Sequence, residues 1–167
     1  MSRTLVAGVG NIFFADDGFG PEVARRLAAR PLPADVTVAD FGIRGVHLAY
    51  ELSSGYELAI VVDAVARGGA PGTLYVIEPE LEDAAAAGAG AVAADAHGLD
   101  LGAVFATMRT LGAPPGRVVV VGCETAELDD RIGLSDPVRG SLDRAVTLVE
   151  TMLAGGGPGR AAEEVGR

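Results

Sequence analysis

Asp16 and Asp17 stand side by side in a glycine-bounded run, Gly8 to Gly20, that follows a short apolar stretch near the start of the chain. Adjacent carboxylates in that setting suit two chemistries. One carboxylate can hold a divalent cation together with ligands from elsewhere, or two close carboxyls can share a proton and act as acid and base. Possible partners are spread along the sequence: Asp40 with Gly42, Asp63, His97, and Cys123 with Glu124. Asp63 ends an apolar, β-branched run, where an unpaired charge would be costly. A cation held by Asp17, Asp63 and His97 would have two oxygen ligands and one nitrogen, with a position left open for substrate or water. Asp16 also reads as a helix cap or turn former. His47 has no partner nearby in sequence and reads as structural. Cys123 reads as a small buried residue, since nothing beside it supplies a base.

The elements that would position these groups are short and alternate. Apolar runs at Thr4–Gly8, Val36–Phe41, Leu58–Val62, Thr73–Ile77 and Val118–Val121 read as strands. The third and fifth are continuously apolar, as central strands covered on both faces are. Helical spacing joins Phe19, Val23 and Leu27, with Pro21 near the start. Leu48, Ala49 and Leu52 make a second stripe. Leu101, Val104, Phe105, Met108 and Leu111 make a third, closed by Gly112 and Pro114. Val138, Leu142, Val146, Val149 and Leu153 make a fourth, with Ser135 and Asp136 as cap candidates and Pro137 in the first turn. Alternation of this kind predicts an α/β fold: a three-layer α/β/α sandwich around a mostly parallel, mixed five-stranded twisted sheet. Only 64–72 joins the third and fourth strands, too short for a crossover helix, so the fourth strand should run antiparallel.

In open sheets of this type, sites gather at the carboxyl ends of the parallel strands. Asp17, Asp40, Asp63, Cys123 and Glu124 fall there. The segment 78–96 must return the chain to the same edge, which brings His97 with it. The glycine-rich tail from Gly155 reads as disordered, leaving 1–154 as a single domain and 155–167 as a tail.

Bulk properties narrow the partners. A net charge of −10 without a single Lys argues against nucleic acid, whose phosphates are bound through Lys and Arg. One cysteine excludes a disulfide framework and a cysteine-based zinc knuckle. No basic segment followed by a long apolar stretch opens the chain, and no apolar run reaches the roughly 18 residues of a membrane span. The expectation is a cytoplasmic protein with no membrane partner.

Two short motif matches fail on their own terms. Gly8-Val9-Gly10 imitates the dinucleotide-binding fingerprint, but the third glycine would fall on Phe13. Gly8-Val9-Gly10-Asn11 resembles the opening of peptidyl-tRNA hydrolases, yet no histidine follows before His47. The longer run from Gly8 to Gly20 resembles the opening motif of hydrogenase maturation endopeptidases, which trim the large subunit of nickel-iron hydrogenases. The resemblance continues in order through Asp40-Phe41-Gly42 with Gly45, Val61-Val62-Asp63-Ala64, Pro71-Gly72-Thr73, His97 with Leu99, Gly122, and Ile132-Gly133-Leu134-Ser135. It departs at Asp95-Ala96, where many relatives have Ser or Ser-Pro, and at Thr125, where Pro is common.

The resemblance implies a peptidase domain. It carries the family's acid–acid–histidine trio onto Asp17, Asp63 and His97, as metal-binding and catalytic residues. It implies a nickel-loaded precursor of a hydrogenase large subunit as partner, with nickel arriving on that substrate and the C-terminal extension removed. Other divalent ions could occupy the same site in free enzyme. The competing expectation is a metal- or nucleotide-binding module on a related fold that cleaves nothing.

Overall fold

The computed structural model describes residues 2–80 and 99–155. Five strands, β1 (Thr4–Val9), β2 (Val36–Gly42), β3 (Leu58–Val65), β4 (Leu74–Ile77) and β5 (Arg117–Glu124), form one sheet in the order β2-β1-β3-β5-β4. The pairs β1–β2, β1–β3 and β3–β5 are parallel, and β4 is antiparallel to β5, as the short 64–72 link requires. The described helices are α1 (Phe19–Ala28), α2 (Gly45–Leu52), α3 (Leu101–Leu111), α4 (Asp136–Arg139) and α5 (Leu142–Leu153). A 3₁₀ turn, Ala15–Gly18, leads into α1.

The alternation of strand side chains divides the core into two layers. Leu5, Ala7 and Val9 of β1, Ala59 and Val61 of β3, and Val118 and Val120 of β5 pack with Leu48 and Leu52 of α2 and Leu101, Phe105 and Met108 of α3. Val6, Ile60, Val62, Val119 and Val121 take the opposite face with Phe19, Val23 and Leu27 of α1 and Leu142, Val146 and Val149 of α5. The α/β/α sandwich is therefore written in the period-2 parity of the strands and the stripes of the helices.

Three local features differ from the sequence expectation. β3 and β5 run further, because pairing continues through Asp63↔Gly122, Ala64↔Cys123 and Val65↔Glu124. Asp63 lies inside a strand rather than at its end; an isolated acid interrupts an apolar pattern without interrupting backbone pairing. The fourth helical stripe is split into α4 and α5. Between them the Ser141 hydroxyl donates to the Val138 carbonyl at 2.6 Å. The glycine-bounded run Gly8–Gly20, read as a loop, contains the 3₁₀ turn. The expectation for α3 holds in detail: Asp100 accepts the Ala103 N–H at 3.1 Å as its N-cap, and Gly112 closes it in the left-handed conformation (φ 88). The tail beyond Gly155 and the Ala/Gly-rich segment lie outside the described residues.

The approach of α1 to the sheet is set by glycines. A Cβ on Gly20 would sit 2.2 Å from the Val62 carbonyl oxygen and 2.3 Å from that of Val9. A Cβ on Gly8 would meet the Gly20 oxygen at 2.5 Å. Both obstacles are backbone of packed strands and helix, which cannot give way cheaply. Gly20→Ala should therefore destabilise the fold by at least about 2 kcal/mol, read as a lower urea midpoint at unchanged slope.

Candidate active site

Within the Gly8–Gly20 run, Gly10 to Asp17 make a tight, self-bonded turn. Gly10 holds φ 138, and a Cβ there would fall 1.9 Å from the Asp17 carbonyl oxygen. Only glycine permits both the dihedral and the contact. Asn11 then organises the loop. Its side-chain oxygen accepts the Phe13 N–H at 2.9 Å, its carbonyl accepts the Phe14 N–H at 3.1 Å, and its own N–H donates to Oδ2 of Asp17 at 2.7 Å. The Asp17 N–H donates to the Phe14 carbonyl at 3.1 Å. Asp17 is thus buried with its carboxylate oriented by the backbone of the loop that precedes it.

Asp63 occupies the next strand. β1 pairs with β3 only as far as Gly8↔Val62, whereas β3 and β5 stay paired beyond Asp63. From Asp63 onward β3 has lost its β1 neighbour, and the 3₁₀ turn carrying Asp17 comes into contact with β3. The sequence order of strands reverses at this place: β1 leads to β2 on one side and the chain crosses to β3 on the other. Such a switch point opens a crevice at the strand ends. Two buried carboxylates from distant parts of the sequence, Asp17 and Asp63, meet that description.

His97 lies outside the described residues. Leu99, two positions later, is buried in the α2/α3 layer. It lies 3.7 Å from where a Cβ of Gly45 would stand, just past the carboxyl end of β2. Among the described residues no group of three metal-ligating side chains comes together.

The other candidates have structural roles. Asp40 Oδ1 accepts the Gly42 N–H at 2.8 Å, an Asx turn that ends β2. Both oxygens of Glu124 accept from Arg67 N–H, at 3.1 and 2.9 Å, and its Oε1 also accepts Gly68 N–H at 2.9 Å, closing the turn between β3 and β4. Cys123 is buried beside Ser141, with Sγ and Oγ 3.3 Å apart. Burial pushes its thiol up to about 11, which removes it as a nucleophile at neutral pH. His47 is exposed on α2. Asp16 is fully buried and caps no helix: it binds a distant loop. Ser135 stands at the N-cap of α4, as expected, but its hydroxyl donates to Asp16 at 2.9 Å rather than to the helix. No local spacing could signal that pair, since the two residues are 119 positions apart.

A family model described as hydrogenase maturation protease matches residues 21–152. The chain belongs to the hydrogenase maturation protease family. Among curated relatives, the hydrogenase expression/formation protein HupD of Rhodobacter capsulatus is 38% identical over 146 residues, covering 86% of this chain and 68% of that protein. Hydrogenase 2 maturation protease of Escherichia coli is 30% identical, over 90% of both chains. The solved structure of the hydrogenase maturating endopeptidase HybD from E. coli superposes with a TM-score of 0.79 at 29% identity, covering 93% of this chain and 94% of that one. A hydrogenase 2 maturation peptidase from a Thaumarchaeota archaeon gives a TM-score of 0.70 at 33% identity, covering 93% and 100%.

Membership of this protease family makes the chain a peptidase, and it favours that reading over a nucleotide-binding module. The geometry agrees. Gly8 and Gly10 are occupied by packing against α1 and the Asp17 turn rather than by a phosphate cradle, and Asp40 is committed to its own turn. No described helix is long and apolar enough to cross a membrane. The raised Cys123 thiol yields a pH prediction. The thiol form is favoured in the folded protein, so the thiolate that a disulfide reagent needs is suppressed until the pH nears about 11. Ellman's reagent at pH 8 should leave Cys123 unmodified in native protein and modify it fully in denaturant.

Proposed function

We propose that the chain removes the C-terminal extension of a nickel-iron hydrogenase large-subunit precursor once nickel has been inserted, holding the substrate's nickel between Asp17, Asp63 and His97. The observation that carries this is the convergence of two buried carboxylates, from β1's turn and from β3, on the crevice at the sheet's switch point. The resemblance of the chain to the family's acid–acid–histidine pattern supports His97 as the third ligand. Family membership supports the class of substrate.

Carboxylate and imidazole are suitable ligands for a borderline divalent ion. Asp17 is oriented in advance of any ligand. The Asn11 N–H fixes its Oδ2, so little rotamer entropy is lost when a cation docks. With nickel seated there, the scissile carbonyl is polarised or a bound water is acidified. The water oxygen adds to the carbonyl carbon, the C–N bond breaks, and the released amine takes the proton. The metal arrives with the substrate, so free enzyme need not retain one. The sequence contains no His-Glu-x-x-His pair of a resident zinc site.

Replacement of Asp17, Asp63 or His97 by Ala should each leave the precursor uncut by mass, with Asp17→Ala still folded by circular dichroism. Wild-type processing by Asp63→Ala would remove that residue from the site.

A further inference from the structure

The Asp16 carboxylate is fully buried and takes four hydrogen bonds, all from one distant segment. Its Oδ2 accepts the Ala126 and Glu127 N–H groups, each at 2.8 Å, and the Ser135 hydroxyl at 2.9 Å. Its Oδ1 accepts the Ser135 N–H at 2.7 Å. The backbone adds two more ties: Asp16 N–H to the Glu127 carbonyl at 3.1 Å and Ala15 N–H to the Arg131 carbonyl at 2.7 Å. Ala15 holds φ 45 to make its bond, a conformation that a non-glycine residue keeps only when its surroundings enforce it. One carboxylate thus fastens both ends of 126–135, a segment with no helix or strand of its own. A buried charge with every bond spent on one loop is an expensive device. Solvent-facing loops usually manage without one.

What the loop builds is visible. Ile132, Gly133 and Leu134 line a groove of about 630 Å³. Pro21, Ala24 and Arg25 of α1, Val38 to Asp40 of β2, and Ile12, Ala15 and Gly18 of the run that carries Asp17 also line it. β2 is an edge strand, so an extended peptide can lie along it. Of the groove's lining residues, Ile132 is 72% exposed and Ile12 48% exposed, apolar side chains that water does not reward.

We propose that Asp16 is a positioning residue: it holds 126–135 as part of the lining of a groove that receives an extended stretch of the precursor next to the scissile bond, and so governs substrate affinity without touching the reacting atoms. This rests on the function proposed above. Asp16→Asn is the mildest probe. The retained oxygen can keep the bonds made to Oδ2, while the new amide faces the Ser135 N–H and loses that acceptor.

The test compares wild type, Asp16→Asn, Ser135→Ala and Ile132→Ser by amide hydrogen exchange, by affinity for the precursor, and by kcat and KM for its cleavage. Asp16→Asn should accelerate exchange across 126–135 alone. It should also raise KM and the precursor dissociation constant about tenfold, with kcat within about threefold. Ser135→Ala should do the same more weakly. Ile132→Ser should weaken binding with exchange unchanged. Unchanged loop exchange in Asp16→Asn overturns the proposal, and so does a fall in kcat at constant KM, which would put Asp16 at the reacting centre. Unchanged precursor affinity in both Asp16→Asn and Ile132→Ser overturns the groove. Exchange and binding are read without cleavage. A wild-type enzyme that leaves nickel-loaded precursor intact would contradict the proposed function alone.

Discussion

The close approach of α1 to the ends of β1 and β3 is the constraint on which the site depends. Gly8 and Gly20 permit it, with no room at Gly20 for even one carbon beside the Val62 and Val9 carbonyls. Because α1 begins there, the 3₁₀ turn before it must sit where β1 stops and β3 continues. Asp17 is thereby delivered to the same crevice as Asp63. A longer approach distance would leave two carboxylates on separate surfaces. The helix is held in place by its apolar stripe rather than by its ion pairs. Phe19, Val23 and Leu27 are fully buried, each worth about 1.5–3 kcal/mol. The exposed pairs Arg26–Asp143 and Arg30–Glu150, which tie α1 and the residues just after it to α5, contribute about 0–1 kcal/mol each.

The two acids of the Asp16-Asp17 pair do different jobs although they are neighbours. Backbone direction separates them. In a tight turn, consecutive side chains leave on different sides, so one carboxylate meets the crevice and the other meets the 126–135 loop. Asp16 satisfies backbone donors that a loop of that kind cannot pair within itself. Asp17 is oriented from within its own loop, by the Asn11 N–H. A stapled acid beside a presented acid is a division of labour that fits a site in which one group must stay fixed while the other meets a ligand.

Much of this was legible in the sequence, because most of it is local or periodic. Strand parity and helix stripes determined the layers, the 64–72 link determined the direction of β4, and Gly112 marked the end of α3. Asp63 was legible as costly in an apolar run, though not that pairing to Gly122 carries the strand past it. What could not be read were contacts made across the chain by residues with a good local alternative. Ser135 before Pro137 has the pattern of a helix cap, and Asp16 before a helix has the same pattern, yet each is consumed by the other. Asp40 and Glu124 were gathered at the correct sheet edge, but backbone donors at Gly42, Arg67 and Gly68 claim them. Position at an edge is set by topology; availability is set by the nearest unpaired N–H.

The proposed arrival of the metal with the substrate is tested most directly by mass spectrometry of the precursor. Purified precursor would be prepared with and without nickel and incubated separately with the enzyme. Loss of the C-terminal extension is expected from the nickel-loaded form, and an unchanged mass from the nickel-free form. Trimming of both at the same rate would contradict a nickel-dependent cut.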